Sequence, residues 1–392
     1  MSSNTLSGQT PPAKRIDAAI IGGGIAGAWA LNLLQKRGYN CILLESTSLG
    51  SDQTLASQGM IHGGLKYALS GVLTGASEAI ADMPRRWRAC LQGEDEVDLR
   101  GARVLSDHYY MFAEATTLGR LTTFFASRAL RGRIDKIKPS AWPAEFHGFE
   151  GVVYQLNDFV MDTTDLLRTL TAAHRGRVLQ LHANRKNIAP HAEGGYTISL
   201  ADTCVHAAAL ICCAGNGSRD LQQALGVSQL PVQQRPLKQV IVNHQHDVMM
   251  FAHCLTGIAS DEPRLTITSH RHSNGVSWYL GGQLADKGVE RSDDEQLATA
   301  RRELATCVPW LDWQHAQFEI LTVNRAEPLQ ASGIKPDEAY VARRKDFIQC
   351  FPTKLTLAPD LGDKLINELD PPRYSTPLKT SHPQAEIGVS PW

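Results

Sequence analysis

The chain has 392 residues, with 39 basic and 40 acidic side chains and a formal net charge of −1. That length allows roughly two domains and a sizeable buried core, and 43% hydrophobic with 20% charged content is ordinary for a soluble globular protein. The balanced charge gives no electrostatic footprint for nucleic acid or an anionic membrane. No run approaches the ~18 consecutive apolar residues of a membrane helix, which leaves only peripheral membrane contact open. Eight cysteines are scattered without C-x-x-C spacing, which argues against zinc and thioredoxin-type chemistry and for reduced, structural thiols, with Cys212 and Cys213 in an apolar run.

Residues 1–15 are polar, carry Pro11 and Pro12, and lack an apolar signal core. Residues 1–13 are therefore expected to be a disordered lead into a cytoplasmic protein. Residues 17–21 are short, apolar and followed by Gly22, as in a buried parallel strand. Residues 25–36 carry apolar side chains at helical spacing, and Gly38 is a good stop. Residues 41–44 form a second buried strand ending at Glu45, which completes a βαβ unit. Residues 46–64, rich in Gly, Ser and Thr, read as a loop crossing a site.

Further along, 72–91 is helical, 103–113 and 151–155 are strands, and 165–174 is an amphipathic helix. Strands are expected at 177–181, 196–200 and 207–213, the last running into Ala214-Gly215-Asn216-Gly217, and again at 240–243, 264–269, 276–281 and 318–323. Residues 293–307 form a helix with Ser292 as N-cap and acidic residues in its first turn. After Asp370 come five prolines and polar filler, so 373–392 is expected to be a flexible tail, disordered or draped over the surface. There are no internal repeats.

Gly22-Gly23-Gly24-Ile25-Ala26-Gly27 fits G-x-G-x-x-G. The first glycine permits a tight turn, the second lets backbone approach a pyrophosphate, and the third lets helix and strand pack closely. The helix N-terminus then offers N–H groups and a positive dipole end to phosphate. Glu45, about eighteen residues beyond Gly27, is placed to accept ribose hydroxyls and to repel an extra 2′-phosphate. These residues define a dinucleotide site. A nicotinamide enzyme would continue with further βα units, whereas this chain breaks into the 46–64 loop and returns to a buried strand with a glycine end only at 207–217.

Over residues 15–371 the chain resembles the D-amino-acid oxidase superfamily of flavoenzymes, most closely its glycerol-3-phosphate dehydrogenase-like branch. The resemblance rests on Gly22–Gly27 with Glu45; on Ser57-Gln58-Gly59-Met60-Ile61-His62-Gly63-Gly64-Leu65-Lys66-Tyr67, similar to a flavin-contacting loop ending H-G-G-[LV]-[RK]-Y; on Asp162 with Leu166 and Leu167; on Ile211–Gly215; and on Phe351-Pro-Thr-Lys-Leu-Thr-Leu-Ala-Pro359, similar to a late G-K-L-T segment at the flavin ring. Two features depart from it. The serine- and arginine-rich run before H-G-G is replaced by Asp52–Ser57, and the glycine pair before the late lysine by Pro352-Thr353.

The resemblance implies an α/β fold: a discontinuous Rossmann-like FAD-binding domain (14–66, 150–225 and 325–372) and a second α+β substrate domain (67–149 and 226–324) on a mixed or antiparallel sheet. It implies FAD held by Gly22, Gly24, Ile25, Ala26, Gly27, Glu45, Ser57, Gln58, Gly63, Gly215, Lys354, Leu355 and Thr356.

The chemistry then needs three things. A cation must orient the substrate, and Arg325 is the choice. A base must receive the proton of a hydroxyl substrate, and His62 is the candidate. Positive potential must face the reduced flavin, and Lys354 with a helix starting near Thr356 would supply it. Tyr279 is a weaker candidate to project into the substrate cavity, core packing being the commoner role of a strand tyrosine. The pairs His244/His246 and His270/His272 read as solvated strand or turn histidines, because no third ligand accompanies them; no metal is expected. Arg85, Arg86 and Arg88 read as a solvated helix face.

The leading function is hydride transfer from a small hydroxy acid or polyol phosphate to FAD. An amine oxidase of the D-amino-acid or glycine oxidase kind and a non-catalytic flavin-binding subunit are the alternatives. The sequence leaves the electron acceptor undecided among oxygen, a quinone and a carrier protein.

Overall fold

Residues 16–21 and 41–45 are apolar on both faces apart from Asp17 and Glu45, so each strand needs cover on both sides, and the structure buries every one of them. The computed structural model describes residues 14–64, 75–114, 134–227, 230–255, 263–273, 275–329 and 338–392. Lys14–Ile21 lies between Cys41–Glu45 and Cys204–Cys212, parallel to both. Val178–Gln180 extends this sheet beyond Cys41–Glu45, and Phe347–Phe351 joins it parallel to Cys204–Cys212. The helices Ile25–Lys36 and Ala358–Glu368 cover one face, with Leu31, Leu34, Leu361 and Leu365 buried against Ile20 and Leu43. Cys212 and Cys213 are buried free thiols.

A second sheet runs in the order Gln317–Pro328, Val232–His244, Gly275–Gly281, Leu265–His272, Ala252–Cys254, Tyr109–Ala113, Val152–Leu156, Ile134–Ile137. It is antiparallel except where Ala252–Cys254 meets Tyr109–Ala113. Helix Asp293–Cys307 begins at Ser292 in a full capping box with Glu295. It packs Ala300 and Leu304 into the cluster holding Val240, Val242 and Leu280. By the two-residue period of a strand, Leu237 and Gln239 therefore sit on the sheet's other face.

Two expected domain limits shift. Val152–Leu156 is an inner strand of the second sheet rather than part of the 150–225 segment of the FAD-binding domain. Gln317–Pro328 pairs with Val232–His244 along nearly its whole length, so 325–328 also stay with the second sheet. Alternating apolar residues announce a strand but not its partner, and the partner decides the layer. Of the helix expected at 72–91, residues 72–74 lie outside the described residues, and Gly75–Gln92 is helical.

The tail 373–392 is draped rather than disordered: it is a strap laid on the first sheet. Arg373 and Tyr374 donate backbone N–H groups to the Asp17 carboxylate, and Ser381 donates to Asp202. Gln180 donates to the Pro383 carbonyl, Ala385 to Val178, and Leu49 to Glu386, while Gly388 donates back to Leu49. Ala385 is fully buried, and the Trp392 ring stacks 3.7 Å from His270. The strap supplies partners to the edge strand Val178–Gln180, whose outer N–H and C=O groups would otherwise be open. Composition gives no warning of this, because most of the bonds are made by backbone.

The expectation of solvated histidines also fails for two of the four. His244 and His270 are 6% and 5% exposed. His244 stands edge-on to Trp278 and Trp313 with no hydrogen-bond partner at either ring nitrogen. Burial pushes both imidazoles down to about 4. No group of His, Cys, Asp or Glu among the described residues could hold a metal ion, and no helix among them is long and apolar enough to cross a membrane. Arg85, Arg86 and Arg88 pair with Asp82, Asp363 and Asp107.

Buried neutral histidines make stability depend on acid. Between pH 6.5, where an unfolded histidine charges, and about 4, the unfolded chain binds protons that folded His244 and His270 do not. Stability is therefore fully present above pH 6.5, falls as pH drops through that window, and levels off below it. His244→Phe should flatten part of the fall, by about 2 kcal/mol between pH 7.5 and 5. Urea unfolding at pH 7.5 and 5 checks this; an unchanged pH slope in the variant would refute it.

Candidate cofactor and substrate site

The first strand ends at Gly22, whose φ is +105°. A Cβ on Gly22 would overlap the Cys213 carbonyl of the neighbouring parallel strand, and one on Gly27 would overlap the Gly22 carbonyl. Only glycine lets strand end, helix start and adjacent strand meet this closely. Glu45 then locks the turn. Its Oε2 accepts the Gly23 N–H at 2.6 Å, and its Oε1 accepts the Thr47 N–H at 2.9 Å. The helix begins at Ile25, whose N–H donates to Thr54 Oγ1 at 3.0 Å, so an orphan donor of the helix end is met by a side chain 29 residues away.

A cavity of about 740 Å³ opens where these strand ends meet the second sheet, within the size range of ligand pockets. Gly22, Glu45, Cys213 and Phe351 line it from the carboxyl ends of the first sheet's parallel strands, and Leu237, Gln239, Val323 and Arg325 line it from two paired strands of the second. Residues 52–58 stitch the two together. Asp52 accepts from Asn216 at 2.6 Å, Gln53 Oε1 accepts the Ala326 N–H at 3.1 Å, and Gln58 Nε2 donates to the Tyr279 carbonyl at 2.9 Å. Burial raises the Asp52 carboxyl above its ordinary range, against the hydrogen bond from Asn216.

Of the residues singled out from the sequence, Gly22, Gly24, Ile25, Ala26, Glu45, Ser57, Gln58, His62, Gly215, Arg325, Lys354 and Leu355 line this cavity. Gly27, Gly63 and Thr356 stand behind its wall. Gly27 packs under Gly22, Gly63 donates its N–H to Asp158 at 2.9 Å, and Thr356 Oγ1 binds the backbone N–H and C=O of His62 at 3.2 and 3.0 Å. Leu65, Lys66 and Tyr67 lie outside the described residues. Lys354 precedes a short 3-10 turn, Leu355–Leu357, and the helix proper starts at Ala358, slightly later than expected. Where the superfamily segment has glycine, Thr353 adopts φ +61°. A β-branched residue there is strained by roughly 1–2 kcal/mol, and Thr353 Oγ1 donates to the Glu338 carbonyl at 3.0 Å.

Arg325 sits within a strand rather than past one. Its Nη2 is 3.4 Å from Asp286, its Nε is buried without a hydrogen-bond partner, and burial lowers its pKa. Glu327 pairs instead with Arg235 at 3.2 Å. Tyr279 does not project into the cavity. It is 1% exposed, with its hydroxyl tied to Ala56 and Gln239. Thr54 and Gln239 were not legible as site residues, since neither lies in a motif; only their cross-chain contacts mark them.

The fold and the glycine-walled cavity are those of a dinucleotide-binding flavoprotein. The FAD dependent oxidoreductase (DAO) family matches residues 17–340, and the chain belongs to that family. It is 44% identical over 369 residues to the probable FAD-dependent oxidoreductase PA4991 of Pseudomonas aeruginosa, covering 92% of each chain. The crystal structure of PA4991 aligns with a TM-score of 0.82 at 37% identity, over 98% of this chain and 99% of that one. More distant likenesses, of fold alone, include glycine oxidase from Geobacillus kaustophilus (TM-score 0.63, 16% identity, 91% and 95% covered). Another is L-alpha-glycerophosphate oxidase from Mycoplasma pneumoniae (TM-score 0.64, 14%, 93% and 97%).

The protein is thus an FAD-dependent oxidoreductase. The residues present fit the cofactor: the turn at Gly22 has room for phosphate but none for a side chain, and the Glu45 carboxylate lines the same cavity. Glu45→Ala removes both a carboxylate that lines the cavity and the acceptor for Gly23. FAD affinity should fall roughly 10- to 100-fold, from the loss of about one hydrogen bond to a charged group. Fluorescence titration of the deflavinated protein checks it; unchanged affinity would mean the ribose contact lies elsewhere.

Proposed function

We propose that the chain oxidises a small anion, a hydroxy acid or polyol phosphate, at the carbon bearing the hydroxyl. The reading is carried by Arg325, a half-buried cation on the cavity wall whose buried Nε has no hydrogen-bond partner among the described residues. A guanidinium with an unmet donor at a cavity favours an anionic ligand, which it can grip in a bidentate fork. Bound FAD supplies the two-electron acceptor for the hydride. The chain's own work is to hold the cofactor through Gly22–Ala26 and Glu45, to orient the anion through Arg325, and to manage a proton at His62. Lys354 and the backbone N–H groups that follow it set positive potential at the cavity wall, where charge on the reduced cofactor would develop.

One observation favours a second reading. His62 Nδ1 accepts the Gly64 N–H at 3.2 Å, which puts the proton of a neutral imidazole on Nε2. In that tautomer the ring is a donor at Nε2, and Nδ1 takes a hydroxyl proton only by releasing Gly64. An amine substrate, which loses hydride from the neutral amine without a protein base, has no such need.

Anaerobic bleaching of the flavin by hydroxy acids, polyol phosphates and amino acids separates the readings. If a hydroxyl substrate is used, His62→Gln should slow bleaching by at least about 100-fold and abolish its dependence on pH. If an amine is used, the same variant should change the rate only a few-fold. Arg325→Met should weaken binding of either class roughly 30- to 100-fold. A flavin that no anion bleaches, or an Arg325→Met protein that binds as well as the parent, would refute the anion reading.

A further inference from the structure

Gln239 and Tyr279 make a buried pair whose protons admit one consistent arrangement. The Tyr279 hydroxyl lies 2.5 Å from Gln239 Oε1 and is also hydrogen bonded to the Ala56 carbonyl. A phenol has a single proton, and a backbone carbonyl can only accept. The proton therefore belongs to the Ala56 bond. If Gln239 also presented oxygen, two oxygens would face each other at 2.5 Å with no proton between them. Amide oxygen and nitrogen have nearly the same shape, and the hydrogen-bond network assigns them. The satisfied arrangement turns the Gln239 amide nitrogen toward the Tyr279 oxygen and the amide oxygen away from it.

The oxygen so freed has one place to go. Among the described residues, Tyr279 is the one hydrogen-bond partner of the Gln239 side chain. The side chain is 6% exposed and lines the cavity. It stands on the same sheet face as Leu237, Val323 and Arg325, since Leu237 is directly opposite Val323, and Arg325 lies two residues further along its strand. The wall thus offers a fixed acceptor on the same two strands as a cation. Tyr279 holds the acceptor in place from behind, anchored through Ala56 to the loop that joins the sheets.

We propose that Gln239 is a specificity-determining residue, whose amide oxygen accepts a hydrogen bond from the hydroxyl or amine of the substrate while Arg325 holds its anionic group. The proposal rests on the anion reading above and deepens it. It predicts discrimination between anions that carry a donor next to the charged group and those that do not.

The test is anaerobic spectral titration of the FAD-loaded protein with glycolate and glycine, which carry such a donor, and with fluoroacetate, which is of similar size and carries none. The parent protein should bind glycolate or glycine at least about tenfold more tightly than fluoroacetate, the worth of one good hydrogen bond. Gln239→Met should bring that ratio within about twofold while leaving the flavin spectrum intact. Tyr279→Phe should move the ratio the same way, because the amide loses its anchor. Arg325→Met should weaken all three probes together and leave the ratio standing. A parent protein without the preference, or a Gln239→Met protein that keeps it while Arg325→Met still weakens every probe, overturns the assignment of Gln239 alone. A parent protein that binds none of the three overturns the anion reading and this one with it.

Discussion

The architecture turns on one steric constraint: at the carboxyl end of the first strand, three backbone segments come so close that only hydrogen fits between them. Gly22 lies against the Cys213 carbonyl, and Gly27 lies against Gly22. That approach brings the ends of two parallel strands and the start of a helix to one point. It leaves polar backbone facing a cavity instead of a side-chain plug. Glu45 completes the constraint, because the carboxylate that lines the cavity also accepts the Gly23 N–H. The lining of the cavity and the geometry of the turn thus share a residue, and neither can be altered without the other.

From that point the chain builds outward to a second sheet. The cavity is an interface between layers, and residues 52–58 join its walls by bonding to the first sheet's side at Ile25 and Asn216 and to the second sheet at Ala326 and Tyr279. A loop held at both ends in this way is not a lid. It fixes the distance between the turn that takes the dinucleotide and the strands that carry Arg325 and Gln239. The wall opposite the glycine turn is a β surface, and Leu237, Gln239, Val323 and Arg325 reach the cavity from it at the strand's period of two, with Ala326 beside them.

The structure carries local costs both at the cavity and away from it. Thr353 holds a left-handed backbone where glycine would sit without strain. Arg325 has a buried Nε with no hydrogen-bond partner among the described residues, and away from the cavity His244 and His270 are buried. Strained or under-satisfied groups persist only when the surroundings over-determine them. Here two sheets and a strap of some twenty residues do so, and Trp392 closes that strap against His270 on the second sheet.

What could be read from the sequence was whatever depends on local sterics and period. The glycine turn, the adjacent carboxylate, the Ser292 cap and the buried parallel strands are dictated by a few neighbouring residues, so they were legible without a partner in view. Family resemblance added the cofactor. What only the tertiary structure decided depends on pairing between distant segments. Val152–Leu156 has the pattern of either sheet, and its neighbours chose the second. The proline-rich tail has a disordered composition, yet an open strand edge gave it backbone partners. Tyr279 and Gln239 have no motif; the Tyr279 hydroxyl, set between Ala56 and Gln239, ties three remote segments together behind the cavity wall. Local chemistry thus determined the glycine turn, and long-range contact determined the wall that faces it across the cavity.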